Sequence, residues 1–257
     1  MNALLSARSL TRRFGGVVAL NQLELEVRRG EILGLIGPNG SGKTTFFNVV
    51  TGIFPATEGT ITFDGTDITG RRPQAVYAAG IARTFQRSRL CLDLSIFDNI
   101  MLGNHLRLQR GLWFNIARRR AFRRAYEALR AEAFELLKIF DAPLAERLSD
   151  PVGALPMIQR RRIEVCRALV SQPRLILLDE PSAGMTHDET RHLMDDILSV
   201  RQRLKDLTIV IIEHEMNVIE RITERCVVLN FGQKIAEGSY REVASDRKVQ
   251  EAYLGAA

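Results

Sequence analysis

The residues that most constrain this chain are Gly37-Pro38-Asn39-Gly40-Ser41-Gly42-Lys43-Thr44, which spell G-x-x-x-x-G-K-[ST]. Their setting is the one this pattern requires. Residues 31–36 are a short apolar run that reads as a buried strand entering the loop, and 45–50 read as the start of a helix leaving it. Glycines let the backbone curl so that successive N–H groups face an anion, and the helix turns its positive end to the same point. A lysine at 43 reaches β- and γ-phosphates, and the Thr44 hydroxyl is placed to ligate Mg²⁺. The sequence therefore predicts a site for a nucleoside triphosphate.

A second stretch supports that reading. Leu175-Ile176-Leu177-Leu178-Asp179-Glu180 is an apolar strand that ends in two carboxylates. In phosphate-loop enzymes an acid in the place of Asp179 holds the hydration shell of Mg²⁺. Glu180, one residue further on, is then directed at the attacking water. On its own the stretch reads equally well as a buried strand meeting surface acids.

Bulk properties limit the remaining possibilities. The 257 residues suffice for one domain with a subdomain or for two small ones. No run reaches the roughly 18 apolar residues of a membrane helix, and 1–8 read as a poor secretion signal. Cys91, Cys166 and Cys226 are odd in number and far apart, which fits reduced thiols rather than a disulfide framework or metal site. The net charge of +6 allows an anionic membrane face or nucleic acid as partner. Much of the excess is arginine between Arg107 and Arg130, where a solvated helix face explains it equally well.

Alternation in residues 1–30, as in Leu23-Glu24-Leu25-Glu26-Val27, predicts an antiparallel sheet, and 59–65 predict a further hairpin. From about 88 to 160 strand signals vanish. Residues 118–140 carry helical periodicity through Ala121, Ala125, Leu129, Ala133 and Leu136. After 160, helix–strand alternation returns, with buried parallel strands at 175–178 and 209–212. The expected fold is α/β: a phosphate-loop ATPase core with an antiparallel β subdomain and an inserted helical subdomain.

These motifs resemble the ATP-binding subunits of ABC transporters along essentially the whole chain, from Leu10-Thr11-Arg12-Arg13-Phe14-Gly15-Gly16 to Glu251-Ala252-Tyr253-Leu254-Gly255. Four stretches are most similar to the branched-chain amino acid uptake group. They are Gly80-Ile81-Ala82-Arg83-Thr84-Phe85-Gln86, Ala183-Gly184-Met185, Ile212-Glu213-His214-Glu215-Met216 and Val228-Leu229-Asn230-Phe231-Gly232. The resemblance implies one ABC domain over 1–257, with a catalytic core and β subdomain at 1–87 and 161–257 and a helical subdomain at 88–160. It implies ATP contacts at Phe14, whose ring would stack on adenine, and at Asn39, Gly40, Ser41, Gly42, Lys43, Thr44 and Thr45. It implies Mg²⁺ at Thr44, Gln86 and Asp179, and catalysis by Glu180, His214 and Gln86. Without the resemblance, Phe14 reads as a core aromatic and Gln86 as a loop residue.

The departures are as informative as the matches. The family's signature loop is usually L-S-G-G-Q, and here Leu155-Pro156-Met157-Ile158-Gln159 takes its place, followed by a helix read over 160–169. The serine and both glycines are gone. Pro181-Ser182-Ala183-Gly184-Met185-Thr186 also lacks the usual aspartate.

The resemblance implies an ATP-hydrolysing subunit at the cytoplasmic face of the inner membrane. It would pair with a second ATP-binding subunit, dock on transmembrane permease subunits and serve a solute-binding protein indirectly. Branched-chain amino acids are the expected cargo, and urea, short amides or lipids are the alternatives. A nucleic-acid- or ribosome-acting ATPase of the same superfamily usually carries two cassettes or a long coiled-coil insertion. This chain has neither, so no nucleic-acid partner is expected.

Overall fold

The computed structural model describes residues 3–105 and 119–254. The arginine-rich stretch at 107–118 lies outside them. The chain divides into two compact units, one of residues 1–83, 174–181 and 204–257, the other of 84–173 and 182–203. Division by compactness thus groups more of the chain with the helical part than the 88–160 read from sequence.

In the first unit, β1 (Ala3–Phe14), β2 (Val17–Arg28), β4 (Glu58–Phe63) and β5 (Thr66–Asp67) form an antiparallel sheet in the order β2-β1-β4-β5. Inward residues such as Leu23, Leu25 and Val27 alternate with exposed Glu24 and Glu26, as period-two patterning requires. A second sheet has the order β10-β9-β3-β8-β7-β6. Its strands are β3 (Ile32–Ile36), β6 (Ile81–Arg83), β7 (Leu175–Asp179), β8 (Thr208–Ile212), β9 (Arg225–Asn230) and β10 (Gln233–Gly238). Only β10 runs antiparallel to its neighbour; the other pairings are parallel. β3, β7 and β8 are buried throughout, which is why each reads as an unbroken apolar run.

Helix α1 (Lys43–Val50) buries Phe46, Phe47, Val49 and Val50 in one apolar cluster with both sheets, including Leu5 and Leu25 of one and Leu33 and Val210 of the other. That packing holds the loop before α1 at the carboxyl end of β3. The carboxyl ends of β7 and β8 lie along the same edge, where open α/β sheets bind ligands. The first unit also holds α2 (Pro73–Ala78).

The second unit is helical, with no strand longer than an isolated bridge between Ser95 and Pro151 among its described residues. It contains α3 (Ile96–Leu102), α4 (Arg119–Phe140), α5 (Ala142–Ala145), α6 (Met157–Leu169) and α7 (His187–Arg203). Along α4 the fully buried positions are Ala133, Leu137 and Phe140, with Leu129 and Leu136 half-buried. The sequence stripe through Ala133 and Leu136 is therefore rotated by about one residue. Helix α6 begins at Met157, three residues before the sequence suggested, because Pro156 sits naturally as the residue before a first turn. Helices α8 (Met216–Ile222), α9 (Tyr240–Ser245) and α10 (Arg247–Leu254) complete the first unit.

Candidate nucleotide site

The loop 37–44 is shaped by its surroundings as much as by its glycines. Gly37 has φ 144°, and a Cβ there would lie 2.1 Å from the Leu229 carbonyl oxygen. Gly42 has φ 105°, and a Cβ would lie 2.6 Å from the Ala19 oxygen. Only glycine fits either position. The β9–β10 turn braces the loop from behind, with the Gly232 N–H donating to the Ser41 carbonyl at 2.9 Å. On the other side a Cβ on Gly40 would meet nothing within 4 Å. Gly42 is the N-cap of α1 and makes no side-chain cap hydrogen bond. A cradle of backbone donors, closed behind and open in front, fits a polyphosphate.

Ser41, Gly42 and Lys43 are buried, Thr45 is half-buried, and Asn39, Gly40 and Thr44 are exposed. The Lys43 ammonium donates to the Gly37 and Pro38 carbonyls at 2.7 and 2.9 Å and to Ser41 Oγ at 3.4 Å. Burial pulls its pKa below the ordinary lysine value, while the nearby Glu180 and Asp179 carboxylates act against that shift. Phe14, the last residue of β1, is 38 % exposed. Its ring meets Phe54 edge-on at 5.2 Å, and the Arg12 guanidinium lies 4.4 Å from its centroid. Such a ring is available for stacking rather than locked in the core.

Asp179 ends β7 and is buried, and desolvation raises its pKa against the opposing pull of Arg83. Glu180 follows with φ 47°, a left-handed conformation that costs a residue with a side chain about 1 kcal/mol or more. The Glu180 N–H donates to the Ile212 carbonyl at 3.0 Å, which helps hold that conformation. The geometry turns the Glu180 carboxylate toward His214, just past β8, with His214 Nε2 and Glu180 Oε1 2.7 Å apart. Adjacent parallel strands thus bring together an acid and an imidazole that are 34 positions apart. An ionised carboxylate paired with a histidine can accept a proton from water.

The second unit holds the other expected residues. Gln86 lies exposed in an irregular segment after β6, and regular helix begins only at Ile96. Its carbonyl accepts from Arg161 Nη2 at 2.7 Å. Arg161 pairs with Glu164 at 2.8 Å, and Glu164 accepts from the Arg89 N–H at 3.0 Å. The buried Arg161–Glu164 pair therefore ties α6 to the Gln86 segment. At the start of α6, Leu155 is buried, Pro156 is the N-cap without a side-chain bond, and Met157 is 40 % exposed. Ile158 and Gln159 are half-buried, and the Gln159 amide reaches Asp141 at 3.5 Å. His187 is exposed at the head of α7.

Sequence reasoning missed Arg83, the buried partner of Asp179. It also missed Tyr253 of α10, a phenol near the Gly37 backbone at the entry to the loop. Both lie in stretches that carry the family resemblance, but neither was given a role there.

Among the described residues no cluster of three or more His, Cys, Asp or Glu could hold a metal by itself. A single buried carboxylate beside a phosphate cradle suits an ion bound jointly with substrate oxygens. No described helix is long and apolar enough to cross a membrane.

The fold and this site are those of an ATP-binding cassette ATPase. The ABC transporter family profile matches residues 20–183, and the profile of the branched-chain amino acid ATP-binding cassette transporters matches 233–257. The chain belongs to the ABC transporter family. It is 38 % identical over 255 residues to the high-affinity branched-chain amino acid transport ATP-binding protein LivG of Salmonella typhimurium, covering 99 % of this chain and 98 % of that one. It is 34 % identical to the Pseudomonas aeruginosa protein BraF, which carries the same description, over 99 % of this chain and 98 % of that one. A nucleotide-free ATP-binding cassette from an ABC transporter superposes with a TM-score of 0.84 at 29 % identity, covering 99 % of this chain and 100 % of that one. An ATP-binding cassette in its ADP conformation gives 0.83 at 28 % identity, covering 99 % and 100 %.

Proposed function

We propose that this chain hydrolyses ATP to energise uptake of branched-chain amino acids through a membrane complex. The observation that carries the hydrolytic part is the Glu180–His214 pair, 2.7 Å apart at the ends of β7 and of β8, the strand next to β3 and its phosphate loop. In this reading Lys43 and the N–H groups of 39–45 bind the phosphates, and Phe14 stacks on adenine. Thr44 and Asp179 would hold Mg²⁺, which would neutralise charge on the phosphate oxygens, and the family resemblance assigns Gln86 to the same ion. Glu180 accepts the proton of the attacking water, and His214 orients it. Residues 1–87 and 161–257 act as the catalytic core, with 88–160 as the helical insertion.

The chain works at the cytoplasmic face of the inner membrane, held there by permease subunits that dock beside Gln86. It pairs with a second ATP-binding subunit, and each nucleotide then lies between one chain's phosphate loop and the other's signature. With Pro156 and Ile158 in its signature, this chain completes a slow site on its partner, while its own Lys43–Glu180 site, completed by the partner's signature, is the fast one. Full-length similarity to relatives described as branched-chain amino acid transport proteins supports the cargo assignment.

The test is uptake by proteoliposomes holding this chain with the membrane subunits and solute-binding protein that co-purify with it. Labelled leucine should accumulate only with ATP on the side of this chain. ATP-dependent accumulation of urea or short amides without leucine would overturn the cargo and leave the ATPase reading standing.

A further inference from the structure

Asp179 is 3 % exposed, and a buried carboxylate needs a fixed cation or donor. Lys43 does not fill that role, because its ammonium donates to the Gly37 and Pro38 carbonyls and to Ser41 Oγ. The cation is Arg83, the last residue of β6. Its Nη2 lies 2.6 Å from Asp179 Oδ2, with the two side chains 5 % and 4 % exposed.

The other arm of the guanidinium reaches a different element. Nη1 donates to Asn48 Oδ1 at 2.8 Å and to Thr51 Oγ1 at 3.4 Å, at the far end of α1. The Arg83 guanidinium carbon lies 5.3 Å from the centroid of the Phe47 ring, also on α1. The Thr51 hydroxyl donates back to the Phe47 carbonyl at 2.6 Å, which fixes that corner. Carboxylate, amide oxygen and aromatic ring thus hold the planar group on three sides. A lysine ammonium, a point charge on a flexible stem, could not span them.

We propose that Arg83 is a positioning residue of the nucleotide site, fixing the Asp179 carboxylate against the helix that begins at Lys43. The metal-facing acid and the phosphate-facing ammonium then keep one spacing, because one side chain ties the end of β7 to α1. The inference rests on the metal role given to Asp179 above. Stability alone does not explain the pair, since a buried ion pair contributes little beyond an apolar pair of the same volume.

The test measures equilibrium ATP binding to the full chain with and without Mg²⁺, alongside thermal unfolding. In Arg83→Lys and Arg83→Met, the strengthening of binding by Mg²⁺ should fall by about tenfold, a typical coupling between two ligands. Binding without Mg²⁺ should stay within about twofold of wild type in both variants. Asn48→Ala removes the far anchor without touching Asp179 and should lose about threefold in the same direction. If Arg83→Met does not fold, Arg83→Lys and Asn48→Ala decide the matter. A lower Tm with the Mg²⁺ effect intact would make Arg83 a brace only and overturn the proposal, as would a gain in Mg²⁺ effect. Asp179→Asn separates the layers. If it too keeps the Mg²⁺ effect, the metal role of Asp179 fails and the proposal fails with it. If it loses the effect while the Arg83 variants keep it, the proposal alone fails.

Discussion

Two loops in this chain end in helices whose first turns carry no side-chain cap: 37–42 before α1 and 155–156 before α6. In the first, glycines with φ 144°, 78° and 105° curl the backbone, and the β9–β10 turn braces it from behind. In the second, Pro156 sits extended at φ −58° and ψ 159°, and Met157 and Ile158, the first residues of α6, carry full side chains. Both have the partial positive charge of a helix end. In the proposed reading, only the first admits a phosphate. The difference teaches that a helix N-terminus becomes an anion site when residues without Cβ atoms surround it, and that the dipole alone is not enough.

The largest expected effect lies in the first region. Glu180→Gln keeps size and hydrogen bonding but removes proton acceptance, so turnover should fall by about 10²–10⁴-fold with ATP still bound. Steady-state hydrolysis in the assembled complex measures it. Wild-type turnover would move the general base elsewhere. The same substitution in the partner subunit should cost far less if, as proposed, that subunit's site is completed by Leu155-Pro156-Met157-Ile158-Gln159. Equal losses from the two subunits would erase the contrast between the loops.

Rebuilding the second loop is the next largest. Replacing Pro156 by Ser and both Met157 and Ile158 by Gly should speed hydrolysis by a homodimer of this chain by about 10²-fold, the value of one well-placed donor. No gain, at unchanged thermal stability, would show that 155–159 do not limit the rate.

The two regions were legible from sequence to different degrees. β3, the loop and α1 could be read because everything that defines them is local: an apolar run, three glycines and a Lys-Thr pair. β7 could be read because its burial on both faces leaves an unbroken apolar run. The start of α6 was read three residues late, since a departed motif no longer marks its own helix. The contacts that finish the site are non-local. Arg83 meets Asp179 across 96 positions, and its own neighbours in sequence carry no sign of that partner. The left-handed Glu180 gave no signal either, because acids are ordinary after a strand. The Arg161–Glu164 pair spans only three positions, yet its bond to Gln86 spans 75.

Lys43→Ala probes binding rather than chemistry. It removes a charge-assisted contact worth about 1.5–3 kcal/mol, so ATP affinity should fall by about 10–100-fold. Equilibrium binding of labelled ATP reads this directly. Met157→Ala, in the other loop, should leave ATP binding to the isolated chain unchanged. If Lys43→Ala binds ATP as wild type does, the phosphate-loop assignment fails. If Met157→Ala weakens binding, the two loops are not separable in the single chain.

The smallest effect asks how far the bracing of the first loop extends. Residues 233–257 match a profile of their own, and they include α9 and α10. Burial pushes the Tyr253 phenol pKa up, and the nearby Gly37 backbone acts against that shift. Around it, Ile36, Met216, Val243 and Val249 line a cavity of about 330 Å³ together with Tyr253, so the end of β3 and α10 share one wall. Tyr253→Phe removes a hydroxyl near the Gly37 backbone and little else. One neutral hydrogen bond is worth about 1 kcal/mol, so ATP affinity should weaken by about fivefold, with turnover at saturating ATP unchanged. Measuring KM and kcat separately distinguishes this from general loss of structure, which would lower both kcat and Tm. Unchanged affinity would confine the bracing to Ala19, Leu229 and Gly232, and the first loop would then be nearly as self-contained as the second.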